Sequence, residues 1–339
     1  MKKIFCIALA ATAVIACTKT EANFTQSEEI SFMPVSKFDT KAAVEGDKFT
    51  ADQNFYVYAN AKNDGVNTFT SKYFVKELFV PKDGEKNGNL QVYGGYTPQY
   101  WPNVNPLIFA GYTASGNVED LTATVADNLS TITLDGYNQP APTAAAQNDF
   151  MYFFDNNSGS GYVKADYVSP VMKHACSWIT INISADSELV SYWENLKVTN
   201  VKFDAIHSTG KVTFKSTPAV EWDYTGKTAA AVNVLTTAKT LSATASEFAD
   251  VADNTIVLPQ TPSKLSVTYT YTTPAGVENF TETKVVPLNF NGEAATVAQA
   301  DWAKWQPGVH YTYNLTITAK EIKISPSSTG WTSQGTVTL

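Results

Sequence analysis

The chain has 339 residues and a formal net charge of −8, with 24 basic residues against 32 acidic ones. All 24 basic residues are lysines. An acidic surface repels polyanions, and without arginine there is no planar fork to clamp phosphate, so nucleic-acid binding is excluded and anionic substrates are disfavoured. The length suits two domains, and 44% hydrophobic residues supply a core for each.

In chain order the first feature is MKKIFCIALAATAVIACTKTE. Lys2 and Lys3 precede an uncharged run over residues 4–16. That run is shorter than the roughly 20 apolar residues that span a bilayer, so residues 1–16 read as a signal peptide. Small Ala16 stands directly before Cys17, an order that resembles the bacterial lipobox. In a lipobox the cysteine thiolate takes a diacylglyceryl group and cleavage leaves it as the new N-terminus; a thiol suits this as the best side-chain nucleophile near neutral pH. The competing reading makes Cys17 a late residue of a secretory apolar region or of a membrane anchor. Lipidation at Cys17, palmitate included, would tether the chain to a membrane without embedding it. Residues 17–28 are then a flexible tether. Of the three cysteines, Cys6 leaves with the signal and Cys17 is acylated, so Cys176 has no intramolecular partner and reads as a small half-buried strand residue.

Beyond residue 28 the chain reads as strand after strand. EISFM, NFYVYAN, KYFVKELFV, LQVYGGY, PLIFAGY, STITL and DFMYFF come first. PVMKHACSWITINI, LKVTNVKFDA, GKVTF, NTIVLP, LSVTYTY, KVVPLNF and VHYTYNLTITAKEIKI follow. In HYTYNLTIT, Tyr311, Tyr313, Leu315 and Ile317 alternate with Thr312, Asn314, Thr316 and Thr318, a period of two that puts one face in a core and one in water. The composition of two similar sets predicts an all-β, mostly antiparallel chain of two seven-stranded sandwiches. The Gly- and Ser-rich NNSGSGYVKADYVSP places the boundary near Ala165, giving domains over residues 29–165 and 166–339. EDLTATVADNLS, ADSELVSYWENL and ATVAQADWAKW are the candidates for short helices.

Chemistry is sparse. His174, His207 and His310 are scattered, with no metal-ligand spacing, and read as packing or hydrogen-bonding residues. No nucleophile elbow, phosphate-binding loop or kinase signature occurs, so no enzyme, cofactor or metal is expected. In DNNSGSGYVKAD, Asp155, Asn157 and Asp166 fall at calcium-loop positions, but Ser160 replaces the required glycine, and a polar turn is the better reading. The aromatic clusters GGYTPQYWPN and DWAKW, with Trp101 and Trp302, could stack on sugars or pack at the edge of a core.

Several stretches read together resemble the fimbrillin family of type V pilins and related lipoproteins. After the lipobox come EISFM, a basic site in DTKAA, YWPN with PLIFAGY, DFMYFF, then VMKHACSWITINI, LPQTP, WQPGVHYTYNLTIT and the tail EIKISPSSTGWTSQGTVTL. The resemblance implies two transthyretin-like β-sandwiches, no enzyme activity, and assembly by donor-strand exchange. A lipid-anchored precursor reaches the outer membrane, a protease removes the first strand carrying Ile30 and Phe32, and a neighbour's C-terminal strand fills the gap. Val337 and Leu339, behind Trp331 in an appendage over about residues 322–339, are the implied donor side chains. Well-understood pilins of this family are cut after arginine; here Lys41, followed by Ala42, stands at the matching position. The resemblance thus implies a shaft or anchor subunit with other pilin subunits and a processing protease as partners, adhesion to a host or bacterial surface through the filament, and location at the cell outer membrane or in a fimbrium. The alternative is a cell-surface glycan-binding lipoprotein outside any filament.

Overall fold

The structure is a computed structural model that describes residues 28–36, 53–87, 90–103, 105–142, 147, 149–217, 220–235, 237–242, 244, 249–262, 264–272, 279–288 and 304–330. The first half comprises β1 (Ser31–Phe32), β2 (Val35–Ser36), β3 (Phe55–Ala61), β4 (Ser71–Asn87), β5 (Leu90–Gly95), β6 (Leu107–Thr113), β7 (Ala123–Val125), β8 (Thr131–Asn138), β9 (Met151–Asp155) and β10 (Val171–His174). One sheet runs β1-β5-β4-β3-β6-β9-β10-β2. Because β1 and β2 are two pieces of one short segment, the sheet closes on itself as a barrel.

Period-two alternation sorts the barrel side chains into two cores. From β3 and β6, Phe55, Val57, Ala59, Leu107 and Phe109 point inward, into a cluster with Ile30, Phe32, Phe79, Tyr93, Met151 and Phe153. Their neighbours Tyr56, Tyr58, Ile108, Ala110 and Tyr112 face outward into a second cluster. Strands buried on both faces lose their polar positions, which is why FYVYANA and LIFAGYT read as near-continuous apolar runs.

The second half continues with β11 (Ser177–Ala185), α1 (Ser187–Tyr192), β12 (Glu194–Ile206), β13 (Thr209–Lys215), β14 (Glu221–Asp223), β15 (Ala230–Asn233), β16 (Lys239–Thr240), β17 (Ala249–Val257), β18 (Lys264–Thr272), β19 (Asn279–Pro287), β20 (Val309–Ile317) and β21 (Ile322–Gly330). Two sheets, β17-β11-β20-β21 and β15-β12-β18-β19 with β16 beside β12, enclose a core of Ile179, Ile181, Ile183, Val201, Phe203, Val267, Tyr269, Trp305, Tyr313 and Leu315. α1 follows an N-cap in which Asp186 accepts from the Leu189 amide at 3.0 Å.

A fourth sheet, β14-β13-β8-β7, draws strands from both sides of residue 165 and covers the outer face of the barrel. Tyr137 stacks on Phe150 at 4.1 Å and Phe214 on Tyr152 at 4.8 Å across that contact. β10 also lies beyond the boundary expected from sequence, yet it pairs with β9 and β2 and completes the barrel. The chain leaves the first unit at Ala175, inside what reads as one continuous strand, because alternation carries no mark of a change of sheet.

The all-β class holds, with differences in detail. Among the described residues the second unit has more strands than seven; β15 and β16, with four residues and two, are too short for alternation to register. EDLTATVADNLS, expected as a helix, forms a 3₁₀ turn at Val118–Asp120 and then β7, paired with β8. β-branched Thr124 and Val125 and the available hairpin partner outweigh a helical pattern of barely two turns. ADSELVSYWENL does contain α1, whereas most of ATVAQADWAKW lies outside the described residues.

Candidate functional site: the segment that closes the barrel

In residues 28–36, Ile30 and Phe32 are fully buried, with Ser31 buried between them, and Glu29 and Met33 on either side are partly exposed. Both edges of the segment are paired. On one side the Ile30 amide donates to the Gln99 carbonyl at 2.7 Å, the Trp101 amide donates to the Glu28 carbonyl at 3.0 Å, and Ser31 and Phe32 stand opposite Gly94 and Tyr93. On the other, the Met33 amide donates to Val168 at 2.8 Å, the Val168 amide to Ser31 at 2.9 Å, and the Val35 amide to Pro170 at 3.0 Å. A segment of nine residues is thus the keystone between the 93–101 and 168–172 stretches, which do not pair with each other.

Its anchor is Phe32. The ring meets Phe79 at 4.8 Å, Phe109 at 5.2 Å and Phe55 at 5.8 Å, each edge to face, with Phe153 at 6.1 Å. Edge-to-face pairs add to what burial alone gives. At the leading end, Lys82 reaches Glu29 at 2.9 Å and Lys164 reaches Glu28 at 2.9 Å. Lys82 crosses directly over Gly94, where a Cβ would lie 2.2 Å from its Cε. Glycine at that position lets the lysine lie flat and reach Glu29.

Of the expected site residues, Ile30 and Phe32 come together here in one groove. Cys17, Lys41, Ala42, Trp331, Val337 and Leu339 lie outside the described residues, as does Trp302. Residues 322–330 of the expected appendage form β21, paired in antiparallel register with β20 from Ile317↔Ile322 to Val309↔Gly330. That half of the appendage is folded on its own unit.

Of the two readings of the aromatic clusters, Trp101 takes the packing one. It is 4% exposed and packs edge-on against Phe109 at 5.9 Å, so it cannot present a face to a sugar. The loop after β5 turns its tryptophan inward because the Trp101 amide is held by Glu28. Its tyrosines, by contrast, are open, with Tyr96 78% exposed.

The histidine and glutamine motifs converge elsewhere, on the joint between the two units. His174 Nδ1 pairs with the buried carboxylate of Asp149 at 2.5 Å. The Ala175 carbonyl accepts from Trp222 Nε1 at 2.8 Å, Ser177 Oγ donates to the Gln306 carbonyl at 2.7 Å, and the Gly308 amide donates to Cys176 at 2.8 Å. Gln260 of LPQTP works as a substitute strand: its Oε1 accepts from the His207 amide at 2.6 Å while its Nε2 donates back to the His207 carbonyl at 2.8 Å. His310 stacks on Trp178 at 3.7 Å. Asp155 accepts from the Asn157 amide and from Tyr162 Oη, so its oxygens hold the polar turn together. Burial pushes the Cys176 thiol well above the ordinary range, and the nearby Asp149 adds to this. Among the described residues no three His, Cys, Asp or Glu side chains are grouped to hold a metal, and no helix is long and apolar enough to cross a membrane. Sequence reasoning found the motifs but not the joint, since their partners lie up to about 130 residues away, as His310 does from Trp178.

The all-β arrangement of this chain is a fold already seen in crystals. A fimbrial protein from Bacteroides vulgatus shares the fold with a TM-score of 0.58 at 16% identity, over 90% of this chain and 100% of that one. A candidate cell adhesion protein from Bacteroides uniformis matches with a TM-score of 0.53 at 14% identity, over 90% and 98% of the two chains. At such identities the likeness is one of fold. No curated protein matches the chain in sequence. The fimbrillin-like family profile matches residues 40–331, and the chain belongs to that family.

Proposed function

We propose that the protein is a structural subunit, shaft or anchor, of a type V fimbria, exported as a lipoprotein through Cys17 and assembled by donor-strand exchange. Lys41 and Ala42 are the processing site, and cleavage there releases the segment with Ile30 and Phe32. Val337 and Leu339 of another subunit then occupy the vacated pockets. Adhesion is a property of the filament, at the cell surface. A two-domain division goes with this reading, with the shared sheet as the joint that carries load between the two.

The observation that carries it is the double pairing of residues 28–36. Removing a strand bonded on both edges leaves two unpaired ladders and an empty aromatic pocket, which is the geometry β-augmentation requires. Two large buried side chains, at ~1.5–3 kcal/mol each, together with the ladder give a replacement strand a strong hold without a covalent link.

The test is intact-mass analysis of the natural protein, followed by limited digestion at lysine and non-reducing electrophoresis without boiling. A mass beginning at acylated Cys17 assigns the anchor role, and one beginning at Ala42 the shaft role. Ladders should form after digestion and vanish when residues 331–339 are deleted. Ladders that survive the deletion, or that form with residues 28–36 still in place, refute strand exchange.

A further inference from the structure

Two lysines mark the leading end of the barrel-closing segment. Lys82 belongs to β4, and its side chain crosses β5 at Gly94 to reach Glu29 at 2.9 Å and Ser31 Oγ at 3.5 Å. With side chains 24% and 28% exposed, Lys82 and Glu29 are largely shielded from solvent, and Ser31, which the lysine also meets, is buried. Lys164 and Glu28 pair at the same end, but both are more than half exposed, so water screens them. Loss of the segment takes both carboxylates away. The carboxylate left beside Lys82 is then Glu85, at 3.9 Å and 60% exposed.

Charges shielded from water attract each other more strongly than charges in it, so a partly buried ammonium discriminates between a strand that brings a carboxylate and one that does not. We propose that the vacated groove selects its occupant by charge: the preferred strand carries a carboxylate at the place of Glu29, directly ahead of apolar side chains for the Ile30 and Phe32 pockets. This selection rests on the strand-exchange reading and goes beyond it by naming which strand is taken. The required order is written in the segment itself, where acidic Glu29, apolar Ile30, small Ser31 and aromatic Phe32 follow one another. Residues 331–339, WTSQGTVTL, contain no Asp or Glu. With Val337 and Leu339 in the two pockets and the strand running as the segment does, Thr336 falls at the place of Glu29 and leaves Lys82 unmatched. A second copy thus fills the pockets without answering the cation. The donor that fits better is a strand of a different subunit with the order acid, apolar, small, apolar.

The probes are fluorescent peptides offered to the full chain during limited digestion at lysine and read by polarisation. EEISFMPVS, from residues 28–36, and WTSQGTVTL contain no lysine and survive the protease. The tail peptide with Thr336→Glu should bind about fivefold or more tightly than the natural tail, and the segment peptide with Glu29→Gln about fivefold or more weakly than the natural segment. Both differences should shrink to within about twofold on the Lys82→Met chain, which keeps the apolar stem and loses the charge. In the undigested chain Glu29→Gln should speed amide exchange at Ile30 roughly threefold, and less in the Lys82→Met background. Equal affinities within each peptide pair on the natural chain, or differences that persist on Lys82→Met, would overturn the charge selection and leave strand exchange standing. No uptake of any peptide, that of the segment included, would overturn both.

Discussion

Phe32→Ala is the perturbation that bears most directly on the barrel-closing segment. The side chain is fully buried and ringed by four phenylalanines with centroids between 4.8 and 6.1 Å away. Truncation removes the transfer free energy of the ring and leaves a cavity that rigid aromatic neighbours on four strands cannot collapse into. Together these give about 3–5 kcal/mol. The loss falls on the first unit, because Phe32 belongs to the barrel core and not to the sandwich core. Native-state hydrogen exchange separates the two. At ~1.4 kcal/mol per factor of ten, the amides of Ile30 and Met33 should exchange roughly two to three and a half powers of ten faster, while those of Ile181 and Val267 are unchanged. Less than a tenfold change at Ile30 and Met33, or an equal rise in both units, would show that the segment is not the keystone.

Three further outcomes follow from the joint and the sandwich. Gln260→Ala strands the His207 amide and carbonyl at a partly buried site, and should cost about 2–6 kcal/mol in urea unfolding, at ~1–3 kcal/mol for each unpaired group; a loss under 1 kcal/mol would mean that water replaces the amide. Asp186→Ala removes the cap of α1 and should cost about 1 kcal/mol, visible as a lower thermal midpoint, with Asp186→Asn retaining most of it. Glu282 is subject to burial, which raises its pKa, but hydrogen bonds from Tyr269, Tyr271 and Lys284 outweigh this and hold the carboxyl below its ordinary value. A depressed carboxyl contributes stability above its unfolded pKa of ~4.3 that is lost as pH falls through the folded value. Urea midpoints between pH 7 and pH 3 should therefore fall less steeply for Glu282→Gln than for the natural protein; parallel curves would disprove the role of those hydrogen bonds.

Alternation was a good guide wherever a strand had one wet face. HYTYNLTIT and KLSVTYTY became β20 and β18 with Tyr311, Tyr313, Tyr269 and Leu315 inside. It failed at Ala175, where the chain passes from barrel to sandwich without a break in pattern, and at β7, where a short stretch took its conformation from β8. Trp101 shows a third limit. Residue type says that tryptophan can stack on a sugar or fill a core, and only the contact with Phe109 decides between them. The joint motifs were visible as motifs, yet what Gln260 and His174 do depends on His207 and Asp149, which no local rule connects to them.

By itself the sequence determined the all-β class and, for strands with one wet face, which face is buried, because those follow from side-chain period. Tertiary structure alone decided which strands are neighbours, that residues 28–36 close a barrel, and that β8 and β13 share a sheet across the two halves. Backbone hydrogen bonds carry no residue label, so a strand's partner is chosen by the packing of whole faces, and those faces exist only once the chain has folded.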